Sequence, residues 1–238
     1  MKPQIKFNVL TLFPDFFVSP LKQSILNKAI EKKIVSVSIH NIRKYSFDKR
    51  GSVDDKPFGG GAGMVLRVDV LVNALEKIKL KIDNPYIILL DPKGEVYNQD
   101  TVEKIGKKKN IILVCGHYEG VDERFTQNWA DTVLSIGDYI LSGGESAALV
   151  IIDSITRLKK GVLGNTDSIK TESFMNSKLN KKDVKLLDYP VYTRPENFRG
   201  FRVPNILLKG DHKLTKKWRT NQSLSLTKKR RPDLLNIT

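Results

Sequence analysis

The chain has few of the features that mark secreted or membrane proteins. It contains one cysteine, Cys115, in 238 residues, so no disulfide can form within it, which suits a reducing compartment. Its longest uninterrupted apolar run, 147–152, is far shorter than the ~20 residues that a membrane helix needs. Thr11 and Asp15 interrupt the apolar stretch after Lys6, so we expect no signal peptide. These absences predict a cytoplasmic globular protein that does not bind membranes.

Several short catalytic motifs are also missing. No G-x-G-x-x-G follows a strand, and neither a phosphate-binding G-x-x-x-x-G-K-[ST] nor a G-x-S-x-G nucleophile elbow occurs. The histidines His40, His117 and His212 are scattered, without the Cys/His spacing of a zinc site, so we predict no metal ligand set and assign none of them a catalytic role. The adjacent carboxylates Asp54 and Asp55 fit either a metal ligand pair or the cap of a turn.

Acidic residues are outnumbered by basic ones. The chain has 41 Lys and Arg against 26 Asp and Glu, a net charge of +15. The excess is concentrated in residues 178–238, where aromatic residues such as Tyr192 and Trp218 lie among the lysines and arginines. A basic surface can simply keep a protein soluble, but basic and aromatic residues together favour contact with nucleic acid.

The hydrophobic pattern predicts an α/β fold with a parallel sheet, because strand-like segments alternate with helical ones. The predicted strands are Lys6–Phe13, Val35–His40, Tyr86–Leu90, Asn110–Cys115 and Thr132–Ile136. The predicted helices are Leu21–Lys32, Asp69–Ile78, Gln99–Lys107 and Glu145–Leu158, with Asp69 and Asn98 as N-caps. Residues 1–160 would form this domain.

The pattern changes after residue 160. Residues 161–177 have little periodicity, and we interpret them as a flexible interdomain linker. Residues 178–238 would then form a small, mainly helical, basic domain that binds nucleic acid. Within it, Asp211 is placed to cap a basic helix that runs to about Leu226.

Glycine-rich segments follow three of the predicted strands. They are 91–94, 116–120 and 136–145, and the last holds three glycines and two acidic residues. Glycine lets the backbone approach a ligand closely and adopt positive φ. Since parallel strands end at one edge of a sheet, the three segments predict a single shared ligand crevice.

The same segments carry a resemblance to a known family. The elements 54–64, 115–124, 136–145, 161–164 and 192–195 occur in the order and spacing of the bacterial tRNA (guanine-N1)-methyltransferases, the TrmD family, and together span most of the chain. That family belongs to the SPOUT methyltransferases, whose strand exits form a deep trefoil knot and bind S-adenosylmethionine. The resemblance implies transfer of a methyl group from S-adenosyl-L-methionine to N1 of guanine 37 of tRNA, immediately 3′ of the anticodon.

The resemblance also assigns residues to the methyl-donor site. Glu119 has a family counterpart that is associated with the donor's amino group or with Mg²⁺. The residues implied at the site are Leu90, Gly116, Tyr118, Glu119, Gly120, Ile136, Gly137, Asp138, Tyr139, Ile140, Leu141, Gly143 and Gly144.

Two further residues receive catalytic roles from the resemblance. Glu172 matches the family aspartate that removes the N1 proton, and it is a departure, because its side chain is about 1.5 Å longer. Arg157 matches the arginine that stabilises negative charge at guanine O6. The family is a homodimer whose active site combines residues of both chains. A catalytically silent knotted RNA-binding protein and a ribosomal RNA ribose methyltransferase are the alternatives.

Overall fold

The structure, a computed structural model, describes residues 3–164, 172–179 and 182–235, with backbone alone at 176–179 and 182–183. The chain divides into two compact units, 1–164 and 165–238. The predicted linker, 161–177, falls at this division, but its residues 165–171 lie outside the described part, so its flexibility stays a prediction. Within the described ranges, no helix combines the length and apolar character that crossing a bilayer requires.

Eleven strands are described, and five of them form the main sheet. In chain order they are β1 Ile5–Thr11, β2 Val35–Asn41, β3 Asp54–Asp55, β4 Val65–Leu66, β5 Tyr86–Val96, β6 Asn110–Cys115, β7 Thr132–Ser135, β8 Asn176–Leu179, β9 Lys182–Lys185, β10 Asn197–Phe198 and β11 Phe201–Arg202.

Seven α-helices accompany these strands. They are α1 Val18–Leu21, α2 Ser24–Glu31, α3 Val68–Lys79, α4 Gln99–Gly106, α5 Glu123–Trp129, α6 Glu145–Thr156 and α7 His212–Arg230. Short 3₁₀ helices lie at Pro14–Phe17, Ile42–Tyr45, Asn205–Leu207 and Pro232–Leu235.

The main sheet has the strand order β2-β1-β6-β5-β7, and all of its pairs are parallel. Different helices cover its two faces, as the alternating directions of the side chains along β6 show. Ile111 and Leu113 point into one core with α2, α4 and α6, whereas Ile112 and Val114 point into another with α3 and Phe125. This two-sided burial explains the continuous apolar strands, and it confirms the predicted α/β class with a parallel sheet.

Of the two N-caps predicted in the first unit, one is confirmed and the other is wrong. Asn98 caps α4, and its side chain accepts a hydrogen bond from Thr101 N at 3.1 Å. Helix α3 begins earlier than expected, after Arg67, so Asp69 lies within its first turn. There the Asp69 carboxylate accepts hydrogen bonds from the Arg67 guanidinium, which lowers the pKa of Asp69. Sequence periodicity did not reveal α5, because seven residues are too few to establish a helical period.

The predicted strand Tyr86–Leu90 is too short. Strand β5 continues to Val96, and its register against β7 shifts between Leu90 and Glu95. Segment 91–94 is therefore an irregularity inside a strand rather than a loop that ends one. Gly94 permits it, since a Cβ there would lie 2.5 Å from Leu134 N.

The C-terminal unit contains one long helix and, in its described part, two antiparallel hairpins, β8-β9 and β10-β11. Asp211 caps α7 as predicted and accepts a hydrogen bond from Leu214 N at 2.9 Å. The helix continues to Arg230, four residues beyond the predicted end. It holds no acidic residue, so its exposed surface is strongly basic.

Candidate functional site

A cavity of about 410 Å³ lies at the carboxyl ends of β6 and β7 and beside the irregular part of β5. This is the edge of a parallel sheet at which α/β proteins bind ligands. Among the residues that line the cavity are all but one of those predicted for the methyl-donor site, namely Leu90, Gly116, Tyr118, Glu119, Gly120, Ile136, Gly137, Tyr139, Ile140, Leu141, Gly143 and Gly144. The exception is Asp138, which is exposed and outside the lining.

Glycines bring backbone segments into direct contact around this cavity. A Cβ on Gly116 would lie 2.8 Å from the carbonyl oxygen of Leu90, and one on Gly144 would lie 2.7 Å from Cα of Cys115. Gly144 N also donates a hydrogen bond of 2.8 Å to Gly116 O. The exits of β5, β6 and β7 are thus held together by contacts that no larger residue permits.

The loop after β7 is fixed by its own side chains. Ser135 Oγ donates to Gly137 O at 3.0 Å, and the Tyr139 hydroxyl donates to Ile136 O at 3.1 Å. Gly137 has φ +149°, and a Cβ there would meet the Tyr139 ring at 2.5 Å. The chain after Tyr139 is exposed, so Ile140 and Leu141 present apolar surface at the cavity.

A second glycine-rich segment contacts Glu119, which lines this cavity. Strands β3 and β4 form a hairpin whose tip, 57–63, carries four glycines with positive φ, and Phe58 at this tip is 98% exposed. The hairpin is joined to the loop after β6, because Glu119 N donates to Met64 O at 3.0 Å. A Cβ on Gly63 would collide with the Glu119 side chain. The hairpin tip therefore belongs to the surroundings of the site.

A buried carboxylate supports the floor of the cavity. Glu145, at the start of α6, is 5% exposed, and its Oε1 accepts a hydrogen bond of 2.7 Å from Thr11 Oγ1. Burial raises the pKa of the Cys115 thiol well above its usual range, and the charge of Glu145 adds to the effect. Cys115 is consequently a neutral packing residue.

His117 is the cavity residue whose hydrogen bonding is incomplete. Its ring lies 5.0 Å from those of Phe13 and Tyr118, and it pairs with Gly143 in an antiparallel bridge. Its Nδ1 is buried and has no hydrogen-bond partner among the residues that the structure describes. A polar ligand in the cavity is one means of satisfying such an atom.

Comparison with known proteins decides the family. A sequence profile described as tRNA (Guanine-1)-methyltransferase TrmD matches residues 5–237. The chain belongs to the TrmD family.

Its relatives agree along nearly their whole length. A protein of Endomicrobium trichonymphae is 46% identical over 240 residues, which cover 97% of this chain and 99% of the relative. A protein of Carboxydothermus hydrogenoformans is 48% identical, and the match covers 98% of this chain and 88% of the relative. A protein of Clostridioides difficile is 47% identical, and the match covers 97% of this chain and 97% of the relative. All three are named tRNA (guanine-N(1)-)-methyltransferase.

The two residues with predicted catalytic roles lie in different units of this TrmD-family chain. Arg157 is half-buried at the end of α6, where its backbone N donates to Asp153 O at 3.1 Å. Glu172 is half-buried in a turn of the C-terminal unit, where its carbonyl oxygen accepts from Met175 N at 3.4 Å. Their catalytic roles remain predictions.

Several residues that line the cavity were not assigned to the donor site, although the segments 91–94, 116–120 and 136–145 were predicted to share one crevice. Asp91 and Lys93 occupy the irregular part of β5, and Asp91 is buried, with Oδ1 accepting from Lys93 N at 2.9 Å. The sequence Asp-Pro-Lys-Gly directly after a buried apolar strand is the pattern that indicates such cavity residues. The other residues in this group are Pro92, His117, Leu134, Ser135, Ser142 and Ala147.

Proposed function

We propose that this protein transfers a methyl group from S-adenosyl-L-methionine to N1 of guanine 37 of tRNA. The observation that carries the proposal is the meeting of the glycine segments 116–120 and 136–144 around one cavity in a member of the TrmD family. A tRNA (guanine-N1)-methyltransferase needs a site for the methyl donor, a means of removing the N1 proton and a surface for tRNA. Residues of this chain provide a candidate for each.

The cavity fits the methyl donor in size and chemistry. Its volume of about 410 Å³ lies within the range of pockets that hold small ligands. Leu90, Ile136 and Leu141 offer apolar walls for an adenosine group, while the glycines expose peptide groups that can bind polar edges. When bound, the donor supplies an electrophilic methyl group on a sulfonium. Glu119 offers a carboxylate for the donor's amino group.

The proton of guanine N1 requires a base. At neutral pH this nitrogen is protonated, and it becomes a nucleophile only as the proton leaves. We propose that the carboxylate of Glu172 accepts this proton. Loss of the proton places negative charge on guanine O6, and we assign the guanidinium of Arg157 to stabilise it. The half-buried position of each side chain supports these roles, because partial removal from water strengthens electrostatic interactions.

The surface for tRNA is assigned to the C-terminal unit. Exposed Lys213, Lys216, Lys217 and Arg219 lie on α7 with no acidic residue on the same helix. Phosphates of tRNA would bind such a surface in a salt-dependent manner. We also infer that the enzyme acts as a homodimer with a composite active site.

We further infer that the exits of β5, β6 and β7 form the trefoil knot of SPOUT methyltransferases. The hydrogen bond from Gly144 to Gly116 supports this inference, because it holds the exit of β7 directly against the exit of β6. Helix α6 then packs in the same core as β1. A chain that passes between strand ends in this way is rare in other folds.

Mg²⁺ has weaker support in this chain. Within the described residues, no group of three or more His, Cys, Asp or Glu side chains is placed to hold a metal ion. We therefore assign Glu119 to the donor rather than to Mg²⁺.

The proposal is tested by incubating the purified protein with methyl-tritiated S-adenosylmethionine and an unmodified tRNA transcript. We expect transfer of tritium, with N1-methylguanosine as the only labelled nucleoside after digestion. RNA binding without transfer would support a catalytically silent RNA-binding protein instead. A 2′-O-methylated nucleoside would indicate ribose methylation and would also overturn the proposal.

A further inference from the structure

The C-terminal unit contains a second cavity, of about 560 Å³, that the donor site does not account for. It lies between the segment 189–196 and α7, and the sequence motif at 192–195 forms part of its wall. The residues that matter for its chemistry are Tyr189, Tyr192, Arg194, Glu196, Trp218 and Arg219, all of which line it.

Aromatic side chains of this cavity remain available to a ligand. Tyr192 is 50% exposed, and its ring lies 6.3 Å from that of Trp218 at an interplanar angle of 53°. The two rings therefore do not stack on each other, and at least one face of Tyr192 is accessible. Planar bases stack on such faces regardless of sequence.

Positive charge surrounds these rings. The guanidinium of Arg219 lies 4.5 Å from the centre of the Tyr189 ring, and Arg194 belongs to the same cavity wall. Lys216 and Lys217 precede Trp218 on α7 and are exposed. An occupant with a planar ring and an attached anion matches this arrangement, whereas a purely apolar partner does not.

We infer that this cavity binds one unpaired nucleotide of an RNA, with the base against Tyr192 and Trp218 and the phosphate beside Arg194 and Arg219. The exposed carboxylate of Glu196 provides an acceptor for an amino or imino group of the base. The inference rests on the proposed function in one respect, which is that the RNA is a tRNA. It adds a nucleotide-binding site remote in sequence from the residues assigned to the methyl donor.

Tryptophan fluorescence can test the inference. The chain has two tryptophans, Trp129 and Trp218, so the variant Trp129→Phe reports Trp218 alone. We would titrate it with an unstructured five-nucleotide RNA and, separately, with an RNA duplex at the same salt concentration. Saturable quenching by the single strand, with weaker or no quenching by the duplex, is expected because a paired base cannot enter the cavity.

Variants identify the ring that binds the base. In the Trp129→Phe background, Tyr192→Ala should raise Kd by about five- to a hundredfold, the effect of removing one base–aromatic stack. Tyr192→Phe should restore binding. Phe198→Ala is the matched control, because Phe198 is an equally exposed aromatic of the same unit that does not line the cavity, and its Kd should change less than about twofold.

Three results would overturn the inference. One is an equal Kd for Tyr192→Ala and Phe198→Ala, and another is equal quenching by single strand and duplex. The third is quenching of Trp218 fluorescence that increases with protein concentration in the absence of RNA, together with self-association in sedimentation. That result would show that the cavity binds a second copy of this chain. Methyl transfer to tRNA by Trp129→Phe is measured separately, so failure of this site and failure of the proposed function remain distinguishable.

Discussion

Thr11, the last residue of β1, donates a hydrogen bond of 2.7 Å to the buried carboxylate of Glu145, the first residue of α6. The contact joins residues 134 positions apart, and a Cβ on Gly143, which lines the cavity, would collide with the Glu145 carboxylate. It links β1 to the helix that follows the loop after β7.

Thr11→Val should destabilise the protein. The substitution keeps the shape of the side chain but leaves the buried Glu145 carboxylate without its donor, which costs about 1–3 kcal/mol, and leaves Phe13 N without the acceptor that it has at 2.9 Å. Urea denaturation monitored by circular dichroism measures the change in free energy of unfolding. Thr101→Val, which removes a solvent-exposed hydrogen bond from half-buried Thr101 to Asn98, is the control and should change it by less than about 0.5 kcal/mol. Equal changes in the free energy of unfolding for the two substitutions would show that the contact between Thr11 and Glu145 does not stabilise the protein.

Gly116→Ala should weaken binding of the methyl donor by at least about tenfold, equivalent to about 1.4 kcal/mol. Its Cβ would lie 2.8 Å from the backbone oxygen of Leu90, so the cavity wall must move. Isothermal titration calorimetry with S-adenosylmethionine provides the Kd. Gly164→Ala is the control, because no atom lies within 4 Å of the added Cβ. An unchanged Kd in Gly116→Ala would place the donor elsewhere.

Glu172→Gln should reduce single-turnover methyl transfer by about 10²- to 10⁴-fold while donor affinity stays constant, as expected for loss of a positioned base. Glu172→Asp introduces the shorter carboxylate of the family and should retain most of the rate. Rapid-quench assays with unmodified tRNA measure both variants. If Glu172→Gln turns over at the wild-type rate, another group removes the proton.

The affinity for tRNA should fall steeply as salt rises, because bound lysines and arginines displace counterions from the phosphates. Lys216→Ala should lower the slope of log K against log salt by about 1 if this lysine contacts one phosphate. Filter binding at several salt concentrations measures the slope. Lys79→Ala, an exposed lysine on α3, should leave it unchanged. A salt-independent affinity would contradict a basic tRNA surface on α7.

Stability should fall at alkaline pH. Burial raises the pKa of the Cys115 thiol in the folded protein, so the folded state holds a proton that the unfolded chain releases above about pH 8.5. The stabilising effect is complete below that pH and is lost as pH rises further. Comparing the free energy of unfolding of wild type and Cys115→Ala from pH 7 to 10 isolates this contribution. If the free energies of unfolding of the two proteins change in parallel with pH, the Cys115 thiol does not contribute to the loss of stability.

The sequence predicted the parts of the fold that depend on local pattern. The apolar run of β6 has the bounds expected, because a strand buried on both faces contains only apolar residues between polar ends. Asn98 and Asp211 were recognised as caps because each precedes a helical pattern and offers a side-chain acceptor. The same criterion wrongly identified Asp69 as a cap, because a carboxylate in the first turn of a helix resembles an N-cap in sequence.

Non-local contacts account for what the sequence did not predict. The continuation of β5 through Pro92 and Gly94 depends on pairing with β7, which no local pattern reveals. Burial of Glu145 depends on Thr11, more than a hundred residues away. The glycine segments predicted a crevice, but its assignment to the methyl donor came from family resemblance, because the same glycines would suit other nucleotides.

The most direct test of methyl transfer to guanine 37 uses two tRNA transcripts that differ only in having guanine or adenine at that position. We expect the wild-type protein to methylate the first to completion, with the methyl group mapped by nuclease digestion and mass spectrometry to N1 of guanine 37, and to leave the second unmodified. Equal methylation of both transcripts, or a methyl group at any other position, would contradict the proposed function.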